Sequence, residues 1–147
     1  RILRDEDLAR DIVQETMVTI WQKISKIKSA ESYKTWVYRI AVNKCYDHLR
    51  KIKKHNELRI DDKTWAIISD HVPEKPDTFL ENEEIARLLE FLVRKLSPRQ
   101  QMVFILSEIE EKNSEEISRI TGMSRTLIKA NLHYARKRIS AMMEKYL

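Results

Sequence analysis

The sequence has one glycine, three prolines and one cysteine in 147 residues. So little glycine and proline leaves almost no material for tight hairpins, which argues against a sheet protein. The single cysteine, Cys45, rules out an internal disulfide and accords with a reducing cytosol, so a cytoplasmic protein is expected. No apolar run approaches the roughly 20 residues of a membrane span, and no signal-peptide pattern appears, so no membrane insertion is expected. His48, His55, His71 and His133 have no metal-ligand spacing with one another or with Cys45. There is no glycine-rich phosphate loop and no serine or cysteine nucleophile motif. The acidic pairs read most simply as helix starts and surface charge. No catalytic residue, metal, cofactor or small-molecule substrate is therefore expected.

What is abundant is charge, at 35% of residues, together with Lys, Glu, Leu and Ile, a composition that suits helices. The net charge of +5 is uneven. Residues 1–60 hold 14 Lys/Arg against 8 Asp/Glu, residues 61–98 hold 5 against 9, and residues 99–147 hold 9 against 6. Two basic ends around an acidic middle suggest two modules that both meet a polyanion.

Apolar periodicity predicts a helix from Asp5 to about Lys28, carried by Leu8, Ile12, Met17, Ile20, Ile24 and Ile27, with Asp5, Glu6 and Asp7 at its positive end. A second helix is expected from about Tyr33 to Lys54, its apolar line being Trp36, Val37, Ile40, Ala41, Cys45, Leu49 and Ile52. Periodicity is then lost, and Asp61, Asp62, Asp70, Pro73, Pro76 and Asp77 punctuate a linker with a short turn around Trp65 to Ile68. A third helix starts near Leu80, with Ile85, Leu88, Leu89, Leu92 and Leu96 on one face. Ser97–Pro98 restarts the chain as N-cap and first helical residue, followed by Met102, Val103, Leu106 and Ile109. Ser114 is expected to cap a short helix, Gly122 to end it in the left-handed conformation, and Ser124 to cap a long basic helix with Ile128, Leu132, Ala135, Ile139 and Met142 or Met143 inside. A short helix, a tight turn and a longer basic helix together make the pattern of a helix-turn-helix. The expected architecture is all-α: one small helical domain over 1–54, a flexible linker over 55–80 and a helix-turn-helix domain over 81–147.

On the last helix Arg125, Thr126, Lys129, Ala130 and His133 share an outward side. The start of such a helix enters the major groove, where Arg and Lys suit guanine acceptors and small residues allow close approach. Arg136, Lys137 and Arg138, farther along, are placed for phosphates. The second helix interleaves aromatic and basic residues: Tyr33, Lys34, Trp36, Tyr38, Arg39, Asn43, Tyr46, Arg50 and Lys51. Aromatic faces beside cations are what unstacked single-stranded bases and their backbone need, although for Trp36, on the apolar line, the core is the favoured reading. On the first helix Asp11, Gln14, Glu15, Val18 and Gln22 form a second face, which by itself reads as solvated surface.

The order of these features resembles a known family. Asp11-Ile-Val-Gln14-Glu15 through Trp21 resembles the polymerase-binding helix of sigma-70-like factors. Ser32-Tyr-Lys-Thr-Trp36 through Asn43 resembles the helix that melts and reads the −10 element. Leu96-Ser-Pro98, Val103-Phe104, Ser114-Glu-Glu-Ile117, Gly122-Met-Ser124 and Lys129 through Lys137 resemble the −35 reading domain. With two domains and a short linker, the chain is similar to an extracytoplasmic-function sigma factor. The resemblance implies that Asp11, Gln14 and Glu15 bind the clamp helices of core RNA polymerase. It implies that Lys28, Ser29, Ser32, Tyr33, Trp36, Tyr38, Arg39, Asn43 and Arg50 meet −10 DNA, and that Ser124, Arg125, Thr126, Lys129, Ala130, His133, Arg136 and Lys137 meet −35 DNA. Its partners would be core polymerase, promoter DNA and an anti-sigma factor, with the acidic linker in the polymerase RNA channel. The chain departs from the family at Gln101, Asn131 and Tyr134, where members often carry Arg, and at Leu127, where Thr is common, so no particular −35 sequence carries over. It begins at Arg1, where family members usually have further helices, and preceding residues are expected. Two other classes fit parts of the pattern: a helix-turn-helix regulator that never touches polymerase, and a helical interaction protein of anti-sigma or scaffold type.

Overall fold

A computed structural model describes residues 2–3, 5–27, 30–59 and 82–146. Among the described residues the regular structure is helical throughout, in the order α1 (Glu6–Lys23), a short 3₁₀ turn (Ile24–Lys26), α2 (Ala30–Arg59), α3 (Asn82–Arg94), α4 (Pro98–Phe104), α5 (Ser114–Thr121) and α6 (Arg125–Met143). Most of the expected linker, with its turn around Trp65 to Ile68, lies outside the described residues. Its first residues do not: α2 continues to Arg59 and so passes the boundary expected after Lys54. No proline or glycine interrupts residues 30–59, so nothing local stops the helix at the basic run.

The helix starts have identifiable caps. Asp5 Oδ1 accepts from the Leu8 amide at 3.0 Å. Ser97 and Gln100 exchange bonds in a capping box, and Pro98 takes the first position of α4. At α5 the cap is Asn113 rather than Ser114: its Oδ1 accepts from the amides of Glu115 and Glu116, and Glu116 Oε2 accepts from the Asn113 amide at 2.9 Å. Asn113 provides the side-chain oxygen one residue earlier, so Ser114 becomes the first helical residue.

α4 is short because a wider π-type turn follows it at Ile105–Ile109. There Glu110 N–H reaches back to Ile105 O and Lys112 N–H to Leu106 O, both at 2.9 Å, and Glu111 takes a positive φ of 53°. Residues 101–106 are all buried, so α4 packs on both sides. One core joins Leu88, Leu92 and Val93 of α3, and Leu96 just after it, to Phe104, Ile105, Ala135 and Ile139. Ile85, expected on that face, is 41% exposed, and Val93 takes part in its place. Gln101 is interior.

The second core joins Met102, Val103, Leu106, Ile117, Ile120 and Ile128 to Val42 of α2. Tyr38, Cys45, Tyr46 and Leu49 pack against it. Positions 38, 42, 45 and 49 form one helical line, so α2 has an apolar face toward the helix-turn-helix as well as one toward α1. α1 contributes Ile12, Thr16 and Ile20 as buried residues, with Thr16 Oγ1 donating to Ile12 O at 2.6 Å. Met17 and Ile24, expected inside, are exposed, as are Val13, Val18 and Trp21, the last at 80%. Among the described residues no helix is long and apolar enough to cross a membrane.

Candidate nucleic-acid interface

The turn between α5 and α6 is closed by its own short-range bonds. Gly122 has φ 74° and ψ 4°, and its amide donates to Ser118 O at 2.9 Å. Only a residue without a side chain adopts that conformation freely. Ser118 Oγ donates to Met123 O at 2.7 Å, and Thr121 Oγ1 accepts from the Met123 amide at 3.2 Å. Ser124 then caps α6 by accepting from the Leu127 amide. Ile117 and Ile120 below the turn and Ile128 beyond it are buried together, which fixes α6 against α5.

With Ile128, Ala135 and Ile139 buried, the opposite side of α6 must face outward. Ser124, Arg125, Thr126, Lys129, Ala130, His133, Arg136 and Lys137 are all exposed. Arg125, Lys129 and His133 are spaced by four, so they stand in one line from the start of the helix. Tyr134, 60% exposed, sets its ring 5.7 Å from that of His133. Asn131 is turned back, donating to Leu127 O at 2.8 Å.

Three acidic residues form ion pairs, two of them beside this face and the third, Glu15, on α1, where the family resemblance assigns it to polymerase. Glu115 contacts Arg119 at 2.5 Å and Arg125 at 3.4 Å. Glu108, on the π-type turn, accepts from Arg136 at 2.6 Å and from Ser107 Oγ at 3.1 Å. Glu15 of α1 meets Lys44 of α2 at 3.2 Å. Only the Glu115–Arg119 spacing of four is a signal visible in one sequence; the other pairs depend on how separate helices meet.

The residues expected to meet −10 DNA divide. Lys28 and Ser29 lie outside the described residues, and Ser32 belongs to α2. Tyr33 is exposed and its ring lies 6.1 Å from that of half-buried Trp36. Tyr38, which lies off the apolar line expected from periodicity, is half-buried against the second core, and Asn43 is half-buried. Arg39 is exposed, with its guanidinium close to the Gly122 turn: a Cβ at Gly122 would lie 3.6 Å from Arg39 Nη2. Arg50 stacks over the Tyr46 ring at 5.8 Å. On α1, Asp11, Gln14 and Glu15 are exposed, and exposed Val18 and Trp21 extend the same side into an apolar area. Burial pushes the Cys45 thiol above its ordinary range. Among the described residues no three His, Cys, Asp or Glu side chains are grouped as metal ligands would be.

The chain matches two family descriptions, Sigma-70 region 2 over residues 1–55 and Sigma-70, region 4 over residues 86–139. It is 30% identical over 135 residues to the RNA polymerase sigma factor SigV of Bacillus subtilis, covering 92% of this chain and 75% of that protein. It is 26% identical to the ECF RNA polymerase sigma factor SigW of the same organism, over 93% of this chain and 76% of the relative. Among solved structures, the sigma factor RpoE of Bartonella quintana, in complex with the anti-sigma factor NepR, shares the fold with a TM-score of 0.60 at 22% identity, covering 97% of this chain and 85% of that one.

Proposed function

This chain belongs to the sigma-70 family of RNA polymerase sigma factors, in its extracytoplasmic-function group, and binds core polymerase to direct it to promoters; we propose how its surfaces divide that work. α6 reads the −35 element, with Arg125, Lys129 and His133 toward base edges, Thr126 and Ala130 allowing close approach, Ser124 at the helix start, and Arg136 and Lys137 toward phosphates. The observation that carries this is the outward side of α6, where eight polar, basic or small residues stand exposed beside a turn closed by its own hydrogen bonds. Asp11, Gln14 and Glu15 of α1 meet the polymerase clamp. Tyr33, Trp36, Tyr38, Arg39, Asn43 and Arg50, with Lys28, Ser29 and Ser32 before them, take the −10 element, where stacking repays the few kcal/mol of unstacking bases. Residues 1–54 and 81–147 are the two working modules, joined by 55–80.

Tyr38 and Arg39 lie against the helix-turn-helix in this arrangement. Their use on DNA entails parting α2 from α4 and α5, and polymerase contacts must offset the loss of the Val42 packing. The protein acts without catalysis of its own, in the cytoplasm, and an anti-sigma factor holds it inactive, as a partner of the NepR type would. Run-off transcription with core polymerase tests the whole reading. The chain should confer specific initiation, and the triple substitution of Asp11, Gln14 and Glu15 by Ala should abolish it while helicity is kept. Promoter-duplex binding without any run-off product would point instead to a regulator that works without polymerase.

A further inference from the structure

Glu115 occupies the first turn of α5, and its two carboxylate oxygens serve different helices. Oε1 accepts from Arg119 Nη2 within α5, and Oε2 stands 3.4 Å from Arg125 Nη2 at the start of α6. The first turn of α6 contains no acidic residue and opens with an arginine. That is the wrong sign for the positive end of a helix, which favours anions. Glu115 supplies from the neighbouring helix the negative charge that α6 lacks. Without it, Arg125 would be pushed from the helix end and would sample many rotamers, since a long side chain is costly to order. All three groups are half or more exposed, so the cluster contributes little to fold stability in water.

We propose that Glu115 is a positioning residue for −35 recognition: it holds Arg125, with Arg119 beside it, in one orientation, and thereby sets sequence preference at a cost in overall DNA affinity. The inference rests on the reading of α6 as the base-reading helix. Two effects of opposite sign follow. A carboxylate facing a duplex repels phosphates whatever the sequence, so its removal strengthens non-specific binding. An arginine freed from its tether can pair with any nearby phosphate, so discrimination between sequences falls. Arg119 thereby joins the interface, on the helix that crosses the backbone in this motif.

The test uses the full chain assembled with core polymerase. Its probes are a preferred promoter duplex, selected from a randomised −35 pool, and the same duplex with that element scrambled. Fluorescence anisotropy is followed at several salt concentrations. Glu115→Gln should tighten the scrambled duplex about two- to fivefold, steepen its salt slope by about one unit, and lower the matched-to-scrambled ratio about three- to tenfold. Glu115→Asp keeps the charge but shortens the reach, so it should lower the ratio without tightening the scrambled duplex. In an Arg125→Ala background Glu115→Gln should leave the ratio unchanged. A purely structural role would instead weaken both duplexes together with the unfolding midpoint. An unchanged ratio in the parent background, or an equal fall with Arg125 already removed, overturns the inference. Lys129→Ala separates the two levels. If it flattens the preference while Glu115→Gln does not, only the role of Glu115 fails; if neither does, α6 is not a reader and both fail.

Discussion

Gly122→Ala probes the turn on which the orientation of α6 depends. The backbone there sits at φ 74°, and an added Cβ would lie 3.6 Å from its nearest neighbour, Arg39 Nη2, an ordinary contact with the mobile end of a side chain. No clash is therefore introduced, and the cost is conformational alone. An L-residue held in the left-handed region costs about 1–2 kcal/mol. Alanine gives back about 0.4–1 kcal/mol because its unfolded chain has fewer states to lose. The net destabilisation should be about 0–1.6 kcal/mol, read as a shift of the urea midpoint at constant slope. Gly122→Asn should cost less, since asparagine visits this region more readily. With a domain stability of about 5–15 kcal/mol, nearly all molecules remain folded. A several-fold loss of −35 duplex affinity in Gly122→Ala would then report a changed angle between α5 and α6, the easiest relief of the strain. Stability above the parent's, or greater damage from Asn than from Ala, would refute the reasoning.

Glu108→Gln should release Arg136 for phosphates, strengthening binding to matched and scrambled duplexes alike and steepening the salt slope by about one unit; an unaltered slope would mean that the pair already breaks on DNA. For the same reason Arg136→Ala should lower the slope less than Lys137→Ala does. The Cys45 thiol, held up by burial, should ionise above the ordinary thiol range, so its alkylation by iodoacetamide should be slow at neutral pH and rise only at more alkaline pH than for a free cysteine. Denaturant should restore the ordinary profile, and a folded-state profile at or below the ordinary range would contradict the packing of α2 against the second core.

Much of this protein is written in short-range signals that one sequence displays. Asp5, Ser97–Pro98, Gly122 and Ser124 mark helix ends because capping and left-handed backbone are decided within a few residues. The outward side of α6 follows from a period of 3.6 once Ile128, Ala135 and Ile139 are recognised as inner positions. Where two caps compete one residue apart, as Asn113 and Ser114 do, the signal locates the helix but not its first residue. Tertiary structure decided what lies between elements. Periodicity showed one apolar line on α2, whereas Tyr38 and Val42, outside that line, join Cys45 and Leu49 from it in facing the second core, because a helix between two partners needs two faces and its sequence does not say which partner each meets. Met17 and Ile24 belong to the apolar pattern of the first expected helix yet stand exposed, since hydrophobicity indicates what favours burial and not what is present to cover it. The bonds from Glu115 to Arg125 and from Glu108 to Arg136 join residues far apart in sequence across a turn or a helix packing. No local rule links such positions, and only the folded chain brings their charges within reach.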